Sequence, residues 1–257
     1  MIELRPLVYQ IQNRKPGVED MAAMIALQSA AREVFQRTSC WRTDLTSTMV
    51  AGTSSLTLAP PSVTVGDETQ TTEILRIIRM EYINGNVVNT LPTLPSTTYT
   101  AGTTVFDLAT KASYSVSSSN TWVEKATVWV PIRERSAQVT DTLHYHATQS
   151  GPPTKYTERY GTANFDLIPD YTYAVQARVA LSPLDHFEVV DLPHERELML
   201  VEGAMAQLWE FGEAKPQMAD RARGKFLMQL QNFGADVLAT NGQALMPTSA
   251  LVPRRWR

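Results

Sequence analysis

Ala30-Ala31-Arg32-Glu33-Val34-Phe35-Gln36-Arg37-Thr38-Ser39-Cys40-Trp41-Arg42 is the stretch where one pattern in this chain stops and another starts. Read toward the N-terminus, it closes a helix. Met24, Leu27, Ala31, Val34 and Phe35 fall at i, i+3, i+7, i+10 and i+11, which lines them along one face of a helix running from about Val18 to Arg37. Pro16-Gly17 stands before it, Glu19 and Asp20 suit the positive end of the helix dipole, and Thr38-Ser39 ends it. Read toward the C-terminus, threonine takes over: 27 of the 29 threonines lie between Thr38 and Thr172. A β-branched side chain is stiff at χ1 and favours the pleated strand over the helix.

The middle of the chain therefore reads as β. Ser54–Leu58, Ile74–Ile83, Trp122–Val130, Thr142–Thr148, Asn164–Ile168 and Thr172–Ala180 are the expected strands. Asn84-Gly85, between Glu81-Tyr82-Ile83 and Val87-Val88, predicts a hairpin, because Asn-Gly tolerates the positive φ of a type I′ turn. Pro60-Pro61, Pro92, Pro95, Gly151-Pro152-Pro153 and Pro169-Asp170 punctuate the rest. Short strands separated by turns predict an antiparallel sandwich or partly open barrel.

After Ser182 the helical period returns. Asp191-Leu192-Pro193 reads as a helix start, with Asp191 as N-cap and Pro193 in the first turn. Leu198, Val201, Met205, Leu208 and Trp209 repeat the spacing of the first helix, and Gly212 reads as its stop. A further helix follows Pro216, with Met218, Ala222, Phe226, Leu230, Phe233 and Val237 on one face. The expected fold is thus α+β, a helical bundle formed by N- and C-terminal helices with an inserted antiparallel β domain. Residues 1–42 and 183–240 make the helical core, 43–182 the β-rich insertion, and 241–257 an extended C-terminal arm. Met24, Leu27, Val34, Phe35, Leu198, Val201, Met205, Leu208, Trp209, Phe226, Leu230 and Phe233 are the expected helical-core packing residues.

Composition narrows the function. Hydrophobic residues make up 43% and charged residues 19%, enough apolar material for a core and against global disorder. A net charge of -3 asks for no electrostatic grip on nucleic acid. One cysteine, Cys40, makes no internal disulfide and implies no oxidising compartment. Met1 to Gln10 lacks the pattern of a signal peptide, and no run approaches the ~20 apolar residues of a membrane span. Manufacture and assembly in a cytoplasm are expected.

Chemistry-bearing patterns are sparse. His144 and His146 share one face of an expected strand and, with Asp141, are the candidate set for a metal or hydrolytic site; the plain reading is a surface pair. Asp185-His186 and His194-Glu195 place an acid beside a histidine but lack a nucleophile on a Gly-flanked turn. Cys40 beside Trp41 reads as a packed, inert thiol. No phosphate-binding glycine loop and no His-Glu-x-x-His is present. No catalytic residue, metal or cofactor is assigned, and the chain reads as non-enzymatic. Tyr145, Tyr156, Tyr160, Tyr171 and Tyr173 would suit stacking on sugars, or serve as ordinary strand residues. Leu251, Val252, Arg254, Arg255 and Trp256 form an apolar and basic tail that either docks on a partner or folds back on its own core.

The helix-to-Trp junction Ala30–Arg42 resembles the opening of the head-to-tail adaptor (connector) proteins of tailed bacteriophages, where an early helix ends near a Trp and leads into a β segment. The run Leu192-Pro193-His194 through Trp209, with Glu202-Gly203-Ala204-Met205-Ala206-Gln207-Leu208, is similar to that family's penultimate helix. The link Gly212 to Pro216 and the helix from Ala219-Asp220-Arg221-Ala222 continue the likeness, which covers the two helical ends and less than half of the chain. The resemblance implies a virion structural protein at the neck, a homo-oligomeric ring with twelve subunits in the usual case. Its partners would be the portal, a tail or nozzle protein, and DNA that passes without sequence-specific contact; no membrane is involved. It also implies that Leu251, Val252, Arg254, Arg255 and Trp256 dock on the portal. The alternative from the residues alone is a β-rich module that binds glycans or a host surface on a helical scaffold.

Overall fold

The computed structural model describes residues 1–83, 86–95, 97–135, 149–159, 161–212 and 215–240. The chain begins with β1 (Ile2–Glu3), α1 (Arg5–Arg14) and α2 (Asp20–Thr38). The strands β2 (Arg42–Met49), β3 (Ser55–Thr57), β4 (Ser62–Val65), β5 (Glu68–Ile83), β6 (Asn86–Val88), β7 (Thr104–Asp107) and β8 (Ala112–Val116) follow. Next come β9 (Trp122–Lys125), β10 (Val130–Glu134), β11 (Lys155–Arg159), β12 (Thr162–Phe165), β13 (Tyr173–Pro183) and β14 (Val189–Val190). A 3-10 turn at His194–Arg196 leads into α3 (Glu197–Gly212) and α4 (Pro216–Thr240). The chain divides into two compact units: Met1–Trp41, Pro61–Glu73 and the segment from Leu181 make the first, and Arg42–Pro60 with Ile74–Ala180 the second.

The first unit holds the helices. α2 is lined by small side chains, with Ala23, Ala26, Ala30 and Ala31 all buried beside Leu27, Val34 and Phe35. Small residues let another helix axis come close, and α3 packs there. α3 is the central helix: Met199, Leu200, Val201, Ala204, Met205, Ala206 and Trp209 are buried as α1, α2 and α4 surround it. A Cβ added at Gly203 would stand 2.9 Å from the Ala30 Cβ and 2.9 Å from the Phe226 ring. Only a hydrogen fits where α2, α3 and α4 meet. α4 turns Ala219, Ala222, Phe226, Leu230, Phe233 and Val237 inward. The α2 end is fixed by Ser39, which takes the left-handed conformation (φ 50°) and returns its N–H to the Phe35 carbonyl at 2.8 Å. Trp41 then packs on Phe35 with ring centroids 5.4 Å apart.

Small strand pairs complete this unit. β1 pairs antiparallel with β14, and β4 with the start of β5 through a turn at Gly66-Asp67. The Glu68 carboxylate accepts the backbone N–H groups of Glu188 and Val189 at 3.0 and 3.1 Å, and Gln70 donates to the Val189 carbonyl at 2.6 Å. Arg32 on α2 donates to the carbonyls of Pro183, Leu184 and Asp185 at 3.1, 3.1 and 2.8 Å, so a turn that no ladder satisfies is held by one guanidinium.

The second unit is sheet. The strand order β2-β13-β5-β10-β11-β12-β3 curls until β2 and β3 touch, a nearly closed barrel. β2 and β13 pair antiparallel over eight residues, from Arg42↔Ala180 to Met49↔Tyr173. A four-stranded sheet, β6-β7-β8-β9, is separate from it. Ile83, Phe106 and Ala174 form a buried cluster backed by Val87, Leu108 and Trp129.

The expected helical bundle built from the two chain ends is corrected. Strand accounts for 35% of the structure and helix for 33%, and the sheet forms a nearly closed barrel, not an accessory to a bundle. The physical reason is the length of sheet that the Thr-rich segment sustains: β5 runs for 16 residues and β13 for 11. Finer corrections follow from helix phase. Asp191 does not cap a helix, because the 3-10 turn begins at His194 with Pro193 before it and no side-chain cap bond. Leu198 is exposed while Met199 and Leu200 are buried, and Met218 is exposed in the first turn of α4. Leu208 is half-buried. The run Trp122–Val130 is two strands in two different sheets. Val87-Val88 does not fold back on β5 but lies in β6, parallel to β7; the Asn84-Gly85 turn and Thr142–Thr148 lie outside the described residues.

Gly203→Ala is expected to destabilise the protein by about 1–3 kcal/mol despite the better helix propensity of alanine, because the added methyl overpacks a site with no slack. Urea unfolding followed by circular dichroism measures it, and an unchanged midpoint would contradict this packing.

Candidate functional site

The expected core residues Met24, Leu27, Val34, Phe35, Val201, Met205, Trp209, Phe226, Leu230 and Phe233 are all buried in the first unit. The candidate docking residues Leu251, Val252, Arg254, Arg255 and Trp256, and the candidate set Asp141, His144 and His146, lie outside the described residues. Exposed His194 meets Glu197 at 3.0 Å one turn along the chain. His186 shares a hydrogen bond of 2.8 Å with Gln28, whose amide also donates to the Phe187 carbonyl at 2.6 Å, an arrangement that anchors a loop. Among the described residues no group of three His, Cys, Asp or Glu side chains converges as metal ligands would. Cys40 is half-buried. Tyr156 and Tyr173 are buried, with Tyr173 donating its hydroxyl to Asp170 at 2.5 Å, and Tyr171 is exposed. Buried rings offer no stacking face, so Tyr156 and Tyr173 do not join Tyr171 in a sugar platform, while Tyr145 and Tyr160 lie outside the described residues.

A carboxylate of the second unit whose pKa is raised is structural. β10 bonds β5 only over Val130–Ile132 and β11 only from Arg133, so the ladder beside β5 is handed across a short strand. Past that strand, Glu158 of β11 accepts the Ile77 N–H at 2.7 Å, and the Tyr156 hydroxyl reaches the Ile77 carbonyl at 3.5 Å. Two side chains thus stand in for a strand at the seam of the barrel. Burial first, and then the charge of Glu134, raise the Glu158 pKa above its ordinary value; the Ile77 N–H, Arg76 and Gly161 oppose the rise. Burial likewise pushes the Tyr156 hydroxyl up.

The first unit carries its ion pairs between helices. Arg223 of α4 grips Glu33 of α2 with two bonds of 2.6 Å, and Arg37 meets the same carboxylate at 2.8 Å. Buried Glu202 of α3 accepts from Arg14 at 3.0 Å, with Lys225 at 3.5 Å. Lys15 donates to the Leu208 carbonyl at 2.7 Å and lies over the Trp209 ring. These contacts lock helix to helix.

Among the exposed residues of the unit are several large apolar side chains. On α1 and α2, Tyr9 is 66% exposed, Met21 63% and Ile25 56%. A groove of about 160 Å³ opens between them, with Val8 and Met24 in its floor and Tyr9 and Met21 as walls. The ion pair of Arg5 with Glu188, at 2.9 Å, and the side chains of Asp20 and His186 rim it. The sequence carried a signal for this: Met21 and Ile25 are one turn apart and both fall beside the core stripe of α2. Tyr9 was hidden because α1 itself was not expected.

Compared with known proteins, the chain matches no family model and no curated protein.

Because its pKa is raised in the folded state, Glu158 adds stability that is present in acid and is lost as pH rises through the folded pKa. Glu158→Gln, which keeps an oxygen for the Ile77 N–H, is expected to match the wild type near pH 4 and exceed it in stability at pH 7–8. Urea midpoints measured from pH 4 to 8 test this, and parallel curves for the two proteins would refute it.

Proposed function

We propose that this chain is a virion structural protein, a head-to-tail adaptor that assembles as an oligomeric ring between portal and tail around the DNA channel. The carrying observation is the pattern of exposure on the helical unit. Its interior is packed to the point of excluding a methyl at Gly203, yet Tyr9, Met21 and Ile25 on one side and Met218 and Met228 on α4 are left to solvent. Large side chains exposed on otherwise well-packed helices fit a subunit that is completed by its neighbours.

Two local features support the same reading. Phe35 stacked on Trp41 turns the chain from α2 directly into β2, the helix–Trp–strand order of the resemblance. α3 ends at Gly212 and α4 opens on Pro216, the short Pro-containing link before a last long helix. The net charge of -3 suits a channel that must release what passes through it. The chain segment from Asn241 onward, with Leu251, Val252, Arg254, Arg255 and Trp256, is the part assigned to portal docking.

The test is negative-stain microscopy and light scattering on the full chain, alone and mixed with portal rings. Closed rings, or a stoichiometric layer bound to the portal, are the expected result. A protein that stays monomeric alone and leaves the portal bare would overturn the proposal.

A further inference from the structure

α4 has two faces of different character. Opposite its buried stripe, Met218, Arg221, Lys225 and Met228 fall at i, i+3, i+7 and i+10, on a single outward line. Met218 is 46% and Met228 57% exposed, and Arg221 and Lys225 are also exposed. Lys225 spans toward Glu202 at 3.5 Å, which leaves its charge on the rim of the line. The line is apolar at both ends and basic between.

The start of α2 has the opposite charge, although Arg5 of α1, paired with Glu188, also lines the groove beside it. Exposed Tyr9, Met21 and Ile25 are flanked by Glu19 and Asp20 at the start of α2. The groove between Tyr9 and Met21, at about 160 Å³, is the size of a site that accepts one benzene-sized group. Methionine is unbranched and flexible and fills irregular gaps of this kind.

We propose that the two surfaces are the two halves of one heterologous interface, in which the α4 line of one copy packs on the α1–α2 surface of the next. A methionine of α4, Met218 or Met228, enters the Tyr9–Met21 groove, and Arg221 and Lys225 face Glu19 and Asp20. The local complementarity of Glu19 and Asp20 with Arg221 and Lys225 favours a second copy of this chain over an unrelated apolar partner. Because the two surfaces are different patches on the same subunit, the contact is head-to-tail and repeats from copy to copy, closing into a ring where the rotation permits. This inference rests on the ring reading above and names the surface that builds the ring.

The experiment uses full-length chains. Met21→Asp with Ile25→Asp spoils the α2 half, and Met218→Asp with Met228→Asp spoils the α4 half. All four positions are exposed, so circular dichroism melts should match the wild type. Analytical ultracentrifugation is expected to find each double variant monomeric, with self-association weakened at least about tenfold. Mixed together they should form a 1:1 dimer and nothing larger, since one sound half remains on each. Should either pair fail to fold, Arg221→Glu serves instead, weakening assembly alone and regaining it with Glu19→Lys. Wild-type rings that persist in both variants would overturn this interface and leave the adaptor reading standing. Two monomeric variants whose mixture gives no dimer would overturn the pairing of these two faces. A wild type that never assembles, with or without portal rings, would remove the adaptor reading and this inference with it.

Discussion

At Gly203 no side chain fits between α3 and its neighbours, and much of the helical unit follows from that. The Ala30 methyl and the Phe226 ring occupy the space a Cβ would need. A crossing this close is possible only because α2 presents Ala23, Ala26, Ala30 and Ala31 toward it, a row with no long side chain to hold the axes apart. Closeness in turn buries α3 from Met199 to Ala206, so a polar residue there must be satisfied inside. Glu202, next to Gly203, is buried and takes Arg14 and Lys225 as partners from two different helices. The charge-assisted bonds are therefore a consequence of the packing. They fix the rotation of α1 and α4 about an axis that the glycine has already brought close.

The barrel unit solves a different problem with similar means. A ladder passed through the short β10 leaves the backbone of Ile77 without a strand partner on the β10 side of β5. A carboxylate and a phenol from β11 supply what a carbonyl and an N–H would have supplied. The cost is a half-buried charge, which the Ile77 N–H and Arg76 offset only in part. Glu158 has the perturbed pKa often seen in active sites, but burial and the nearby Glu134 charge raise it, while its oxygen is committed to a backbone donor that pulls the other way.

The sequence shows these features unevenly. The α2 stripe and the α3 and α4 periods were legible because buried residues there recur at helical spacing and the caps are chemically distinct. α1 carried the same signal in Leu4, Leu7, Val8 and Ile11, with Pro6 in the first turn, but it is short and close to the terminus. The balance of helix and sheet was misjudged because strand length depends on partners, and β5 and β13 extend past the runs their residues suggested. β10, β11 and the handover at Ile77 leave no local trace, since pairing across about 80 residues is set by register. The exposed apolar side chains were individually visible. That Met21, Ile25 and Tyr9 share one surface required the α1–α2 packing, which no single helix pattern contains.

The sidedness of α4 ties these points together. Its inward face is aromatic and aliphatic, Phe226, Leu230 and Phe233, and meets α2 and α3. A helix whose only task was to cover the core would carry mixed charge on its other side, spaced for solubility. α4 does carry such charge, with Asp220 and Asp236 exposed beside Arg221 and Lys225, but it also places Met218 and Met228 on either side of the two basic residues. Methionine gives a helix little that lysine or glutamate would not, and outside a core its thioether does nothing for solubility. The outward line is thus unexplained by the fold of one copy. A core that rejects a methyl at Gly203 is complete without either methionine, which leaves both available for a contact beyond that core.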